Sequence, residues 1–177
     1  MTRPFAFLRP GLAAVACLAA VAAAAHGPGP HVHGVASLQV AVDGDTLTLH
    51  LESPLDNLLG FEHAARTDKE KAAVGGMVER LNKADGLFVT TAAAGCKPAS
   101  VQLESPLLQP SKTTGAGGHA DLDGDFIFRC QRPELLRDID VALFDAFPNL
   151  HRVDVQVAGA RGQTAAKLTP TSRRIAW

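Results

Sequence analysis

The sequence predicts an α+β domain: a mostly antiparallel sheet with one or two helices packed on one face and one disulfide. Three observations lead there. Short segments alternating apolar and polar residues recur from Val35 to the C-terminus, the period of half-buried strands. Only Asp68 to Lys83 carries helical periodicity over several turns. Two cysteines, Cys96 and Cys130, remain once an apolar N-terminal leader is set aside.

Residues 1–25 have the pattern of an export signal that is removed. Arg3 and Arg9 precede an uncharged, alanine-rich stretch ending in Ala23-Ala24-Ala25, a small-residue cleavage site. Cys17 falls within that stretch, but Ala14-Val15-Ala16-Cys17 lacks the leucine of a good lipobox, so a cleaved signal is the better reading than a lipid anchor. The stretch is too short and too rich in alanine for a membrane span. Residues 26–34 form a Gly/Pro-rich, histidine-containing leader, expected to be flexible, and 35–177 a single domain.

Val35 to Val42 and Thr46 to Leu51 alternate on either side of Asp43-Gly44-Asp45, the pattern of a hairpin that Pro54 stops. Pro54 to Gly60 has room for one helical turn. Thr67 with Glu70 has capping-box spacing for the helix over 68–83, and Val74, Met77, Val78 and Leu81 form its apolar stripe. Gly75-Gly76 weakens that helix. Strands are expected at Leu87 to Thr90, Ala99 to Glu104, Asp125 to Cys130, Ile139 to Leu143, Arg152 to Ala158, Gln163 to Leu168 and Ser172 to Trp177. Pro106 to Gly118 reads as a polar loop, and Phe144 to Leu150 as a short helix or loop.

The net charge of −1 falls to −3 without the leader, which takes Arg3 and Arg9 and no acid. No basic run exists to neutralise phosphates, which argues against nucleic acid as a partner, and nothing after the leader is long and apolar enough for an integral membrane protein. In an oxidising compartment Cys96 and Cys130 are expected to pair; the rival use, as thiolate metal ligands, lacks a Cys-x-x-Cys spacing. No Gly-x-Ser-x-Gly, P-loop or dinucleotide fingerprint is present, so nothing argues for an enzyme.

The histidines carry the chemistry. His31 and His33 share a face of an extended segment, and Gly34 lets the backbone bend close to an ion. His63 ends Gly60-Phe61-Glu62-His63, a connection in which Glu62 is placed to ligate or to orient the imidazole. His119 and Asp121 lie two apart, an imidazole–carboxylate pair suited to zinc, with Asp123 as a further ligand or orienting group. The acidic run Asp121 to Asp125 has a passing likeness to a calcium loop, without the closing glutamate. His50 and His151 sit singly on strands and read as structural or merely exposed.

The order His31-x-His33-Gly34, Gly60-Phe61-Glu62-His63, Cys96, His119-x-Asp121 and Phe126-x-Phe128-x-Cys130 resembles the ZrgA-like, zinc-regulated periplasmic proteins. The likeness spans nearly all of the chain after the leader. It implies a periplasmic protein that binds Zn2+ and buffers it for, or delivers it to, components of a zinc uptake system. The ligands it implies are His31, His33, His63, His119 and Asp121, and Cys96–Cys130 looks like the family's disulfide. Family members often carry a His- and acid-rich insert before the His-x-Asp motif; here Ser111 to Gly118 offers no ligand, which implies one or two defined sites.

Three other readings make different demands. A structural or partner-binding envelope protein would melt identically with zinc and with chelator. A zinc hydrolase needs an open metal position and a general base, for which Glu62 is the candidate. A copper chaperone would use soft ligands, and no methionine cluster is present.

Overall fold

The computed structural model describes residues 32–108 and 120–177. Residues 1–31, with the expected export signal and His31, and residues 109–119, with His119, therefore lie outside the described residues. Nine strands form two sheets: β1 (Val35–Asp43), β2 (Thr46–Pro54), β3 (Phe88–Thr90), β4 (Cys96–Glu104), β5 (Asp121–Cys130), β6 (Asp138–Val141), β7 (Arg152–Gly159), β8 (Gly162–Leu168) and β9 (Arg174–Ala176). The larger has the order β4-β5-β2-β1-β7-β8 and the smaller β3-β6-β9. Every pairing is antiparallel except β1 with β7. The α+β expectation holds, with that one parallel pair making the larger sheet mixed.

Alternation decides which face is buried. Leu38 and Val40 of β1, Leu47, Leu49 and Leu51 of β2, Phe126 and Phe128 of β5 and Val153, Val155 and Val157 of β7 are all at most 3% exposed. They join one continuous cluster with Met77, Leu81, Phe88, Ile139 and Phe147 from the helices and the smaller sheet. Phe88 meets Phe126 edge-on, with ring centroids 4.8 Å apart, and so links the two sheets. The other face of the larger sheet carries polar side chains and stays open, a one-sided arrangement typical of antiparallel sheets.

Four short helices occur among the described residues: α1 (Leu55–Leu59), α2 (Asp68–Leu81), α3 (Ala84–Leu87) and α4 (Leu143–Ala146). The capping box of α2 is present as expected. Thr67 Oγ1 accepts from Glu70 N, and Glu70 Oε2 accepts from Thr67 N. Met77 and Leu81 are buried, and the stripe faces the core. Two glycines are tolerated mid-helix because that part of the surface is unpacked: a Cβ at Gly75 or Gly76 would meet nothing within 4 Å.

Two strands begin earlier than their alternation suggests. β5 starts at Asp121, so the acidic run is extended strand and not a calcium loop. β4 starts at Cys96, directly opposite Cys130, and the expected disulfide joins those two residues. β4 buries little apolar surface, so its packing alone holds it weakly. Closing the 34-residue loop adds roughly 3–4 kcal/mol in the chain-entropy model.

One buried polar residue fixes the end of the larger sheet where β1 starts and β2 stops. Asn57, on α1, is 1% exposed. Its Oδ1 accepts from Gly34 N, and its Nδ2 donates to Val35 O at 2.9 Å and to Ser53 Oγ at 3.1 Å. Gly34 has φ +81°, and a Cβ there would stand 2.9 Å from His151 Cδ2. The carbonyl of Gly34 also accepts from His151 N and Arg152 N. The chain around His33 is thereby tied to α1, β2 and β7 at once.

Asn57→Ala leaves Gly34 N–H and Val35 C=O without these partners in a buried place. It is expected to lower unfolding free energy by about 1–3 kcal/mol in urea titrations. Gly75→Ala and Gly76→Ala are each expected to raise it by about 0.5–1 kcal/mol, since alanine is the better helix former and nothing opposes its methyl.

Candidate metal centre

Strand direction brings distant stretches to one end of the larger sheet. β1 leaves that end, β2 arrives at it, and β5 leaves it again. Asp121, the first residue of β5, pairs with Pro54, and Leu55 N donates to Ala120 O at 2.9 Å. The start of β5 therefore abuts the β2–α1 junction, and Asp56 is the next residue along. Gly60, at φ +81°, terminates α1 in a left-handed turn and redirects the chain into Phe61-Glu62-His63.

At this end His33 stands between two carboxylates. Its Nε2 is 3.1 Å from Glu62 Oε1 and its Nδ1 is 3.6 Å from Asp56 Oδ2. Glu62 is the more buried of the pair, with 15% of its side chain exposed against 32% for Asp56. A carboxylate on an imidazole nitrogen sets its tautomer and ring orientation, the arrangement that orients histidine ligands in metal sites. The pairing of His33 with Glu62 joins two of the sequence motifs; the participation of Asp56 was not legible in either.

His63 is placed differently. Its ring stacks on Phe61 with centroids 5.1 Å apart, and its Nδ1 lies 3.0 Å from Ala64 O. Its Nε2 is 3.9 Å from Glu70 Oε1. Glu70 is engaged in capping α2, and backbone hydrogen bonds from Thr67 and Arg66 hold its carboxyl below the usual range. His63 is about half exposed, and its contacts among the described residues run to the start of α2, not to His33. Of the expected ligands, then, His33 and Glu62 meet, Asp121 is set at the same end by register, and His63 points to a different neighbour.

A second cluster lies on the open face of the larger sheet. His50, Glu52 and Asp123 each present one ligand-type atom, all within 4.8 Å of one another. Glu52 is directly opposite Asp123, and His50 directly opposite Asp125. His50 Nδ1 is 2.8 Å from Asp125 Oδ1, and its Nε2 is 3.5 Å from Glu52 Oε1. Asp123 thus joins His50 and Glu52 on the flat of the sheet, one alternation away from Asp121 on the same strand. Sequence reasoning passed over His50 and Glu52. The spacing His50-x-Glu52 on a strand was a signal, but its meaning depends on the β2–β5 register.

The open-face charges perturb one another. Burial and then the charge of Glu52 push the Asp123 carboxyl above its usual value. For His50, partial burial works downward, but the hydrogen bond and charge of Asp125, followed by those of Glu52, raise it overall. Above the ordinary carboxylate value of 3.8, folded Asp123 holds a proton that the unfolded chain has released, so its contribution to stability falls as pH rises through that window. The His50 contribution is fully present below its ordinary value of 6.5 and is lost as pH rises through the raised one. Both make the metal-free protein less stable toward alkaline pH. Asp123→Asn is expected to raise the metal-free Tm by a few degrees at pH 7.5 and to leave it nearly unchanged at pH 4, as followed by circular dichroism in chelator.

No helix among the described residues is long and apolar enough to cross a membrane. No curated protein matches the chain. A family model described as "ZrgA family zinc uptake protein" matches residues 30–177, which takes in both histidine–carboxylate clusters, the disulfide and all nine strands. The chain belongs to the ZrgA family of zinc uptake proteins.

Proposed function

We propose that this protein binds Zn2+ in the periplasm and buffers it for, or hands it to, an uptake system, acting by ligation and not by catalysis. The observation that carries this reading is His33 set between Glu62 and Asp56, at the sheet end where β5 brings Asp121, in a chain of a zinc uptake family. Imidazole nitrogen and carboxylate oxygen are ligands that suit zinc. His31 and His119 flank these positions in sequence and complete the ligand set in this reading.

The chemistry favours exchange. Carboxylates and imidazoles near the surface release an ion faster than a closed set of thiolates, and Cys96 and Cys130 are held in a disulfide. Ligation requires neutral imidazole, so affinity should decline below about pH 6.5, the reference value for histidine. A cleaved signal over residues 1–25 accounts for delivery to a compartment where that disulfide persists.

His33→Ala combined with Glu62→Ala is expected to weaken zinc binding at least tenfold in competition titrations against a chromogenic chelator, with thermal stability in chelator little changed. Unaltered affinity would remove this end of the sheet from the site. Recovery of the natural chain from a periplasmic extract with zinc retained in native mass spectra would support the location and the cargo together.

A further inference from the structure

Of the open face of the larger sheet, only Asp121, at its end, belongs to the ligand set just proposed. From the geometry of that face we infer that His50, Glu52 and Asp123 form a second divalent-cation site, separate from the one at the sheet end, with zinc as the ion it takes in this protein.

Three independent features of the chain support the assignment. The first is convergence. Three ligand-type atoms from two adjacent strands lie within 4.8 Å of one another, close enough for one ion to bridge after small side-chain rotations. The strand pairing holds their backbones in register, so forming the site requires no fold change. The second is orientation. Asp125 engages His50 Nδ1 at 2.8 Å and leaves Nε2 directed at Glu52, the carboxylate–histidine arrangement that prepares an imidazole for a metal. The third is unbalanced charge. Glu52 and Asp123 on one rung adjoin Asp125 on the next, and Glu104 on β4 is directly opposite Asp123. Among the described residues none of these four carboxylates is paired with lysine or arginine. One protonated His50 offsets a single negative charge; a divalent cation offsets two.

A surface ion-pair cluster would place a cation side chain among the acids and bury the imidazole nitrogen in a hydrogen bond. Elsewhere on the same face that is what happens: Asp154 is flanked by Arg152 and Lys167. At His50 the cationic side chains are missing and Nε2 points into the acidic group. An open groove of about 580 Å3 is lined in part by Gln39, Thr48, His50 and Gln156, so His50 borders open space. With three protein ligands the ion would keep positions for water, so the site should load and unload quickly.

The two sites are close but distinct. Asp121 pairs with Pro54 at the sheet end, beside the start of α1, whereas Asp123 pairs with Glu52 one rung further in, so the two aspartates have different neighbours. Native mass spectrometry and calorimetry with zinc alone separate them. The wild-type chain is expected to bind at least two equivalents. His50→Ala with Glu52→Gln should lose one equivalent, the weaker, and keep the other at unchanged affinity. His33→Ala with Glu62→Ala should keep the open-face equivalent. Circular dichroism of each variant in chelator reports whether the fold survives, and Asp123→Asn alone, which conserves side-chain shape, should lose the same equivalent as the double variant. Identical stoichiometry and affinity for wild type and His50→Ala/Glu52→Gln would overturn the second site. So would loss of both equivalents in His33→Ala/Glu62→Ala with the fold intact. If His33→Ala/Glu62→Ala changes nothing while the His50 variant loses an equivalent, the sheet-end reading fails and the open-face site stands.

Discussion

The Asn57 side chain is the constraint on which the sheet-end arrangement depends. It is almost wholly buried, yet it meets the backbone at Gly34 and Val35 and the hydroxyl of Ser53. A buried amide is costly unless its groups are satisfied, and here both its oxygen and its nitrogen have partners. Those partners belong to the start of β1 and the end of β2, so a single residue on α1 sets where the two strands meet the helix. Gly34 completes the joint: its positive φ and the closeness of His151 exclude a side chain there. The position of His33 follows from this joint, since it immediately precedes Gly34. The side chain of Asp56 is placed by the same helix, one residue before Asn57.

The larger sheet divides labour between its faces. One face is a continuous apolar layer with Leu, Val and Phe at nearly every inward position. This layer supplies most of the stability, at about 25 cal/mol per Å2 buried. The other face is released from packing duty and can carry a row of acids along β5 at Asp121, Asp123 and Asp125. The Asp123 carboxyl in this row is raised first by its burial and then by the charge of Glu52 across the β2–β5 ladder. The disulfide matters in this setting. It fastens β4, which brings Glu104 opposite Asp123 yet has few buried side chains of its own. A strand recruited to present charge is held covalently because burial alone would hold it poorly.

Much of the fold was legible because it is encoded locally. The hairpin β1–β2 follows from strict alternation around Asp43-Gly44-Asp45, and α2 from Thr67, Glu70 and a stripe ending at Leu81. The Cys96–Cys130 bond followed from compartment and parity. What was not legible is what depends on pairing between distant strands. The β5 alternation was visible from Phe126 onward, but its acidic start looked like a turn because Asp and Gly dominate turns. Its partner β2 decides the matter, by offering a ladder out to Pro54. His50 was passed over for the same reason. On β2 alone it is one polar residue among leucines; only the β2–β5 register sets it against Asp125 and brings Glu52 to Asp123. His33 and Glu62, 29 residues apart, were both singled out, but their contact depends on the turn at Gly60.

The exposure of these side chains bears on what the proposed role in zinc uptake demands. A carrier has to bind an ion in dilute solution and then give it up, so its sites cannot be both deep and closed. His33 is more than half exposed, and Glu52 and Asp125 are about half exposed. Such groups attract a cation through their collective negative charge, which raises its local concentration, while water competes for each bond and keeps any one contact weak. Tight capture then requires several ligands acting together, and release requires only that one or two be drawn away or protonated. The ordered backbone beneath supplies the first condition, because the positions are set by strand register and by Asn57 before any ion arrives. The exposed side chains supply the second. Rigid placement of exposed side chains is thus the physical basis of the proposed role, in which one small domain both collects zinc and surrenders it.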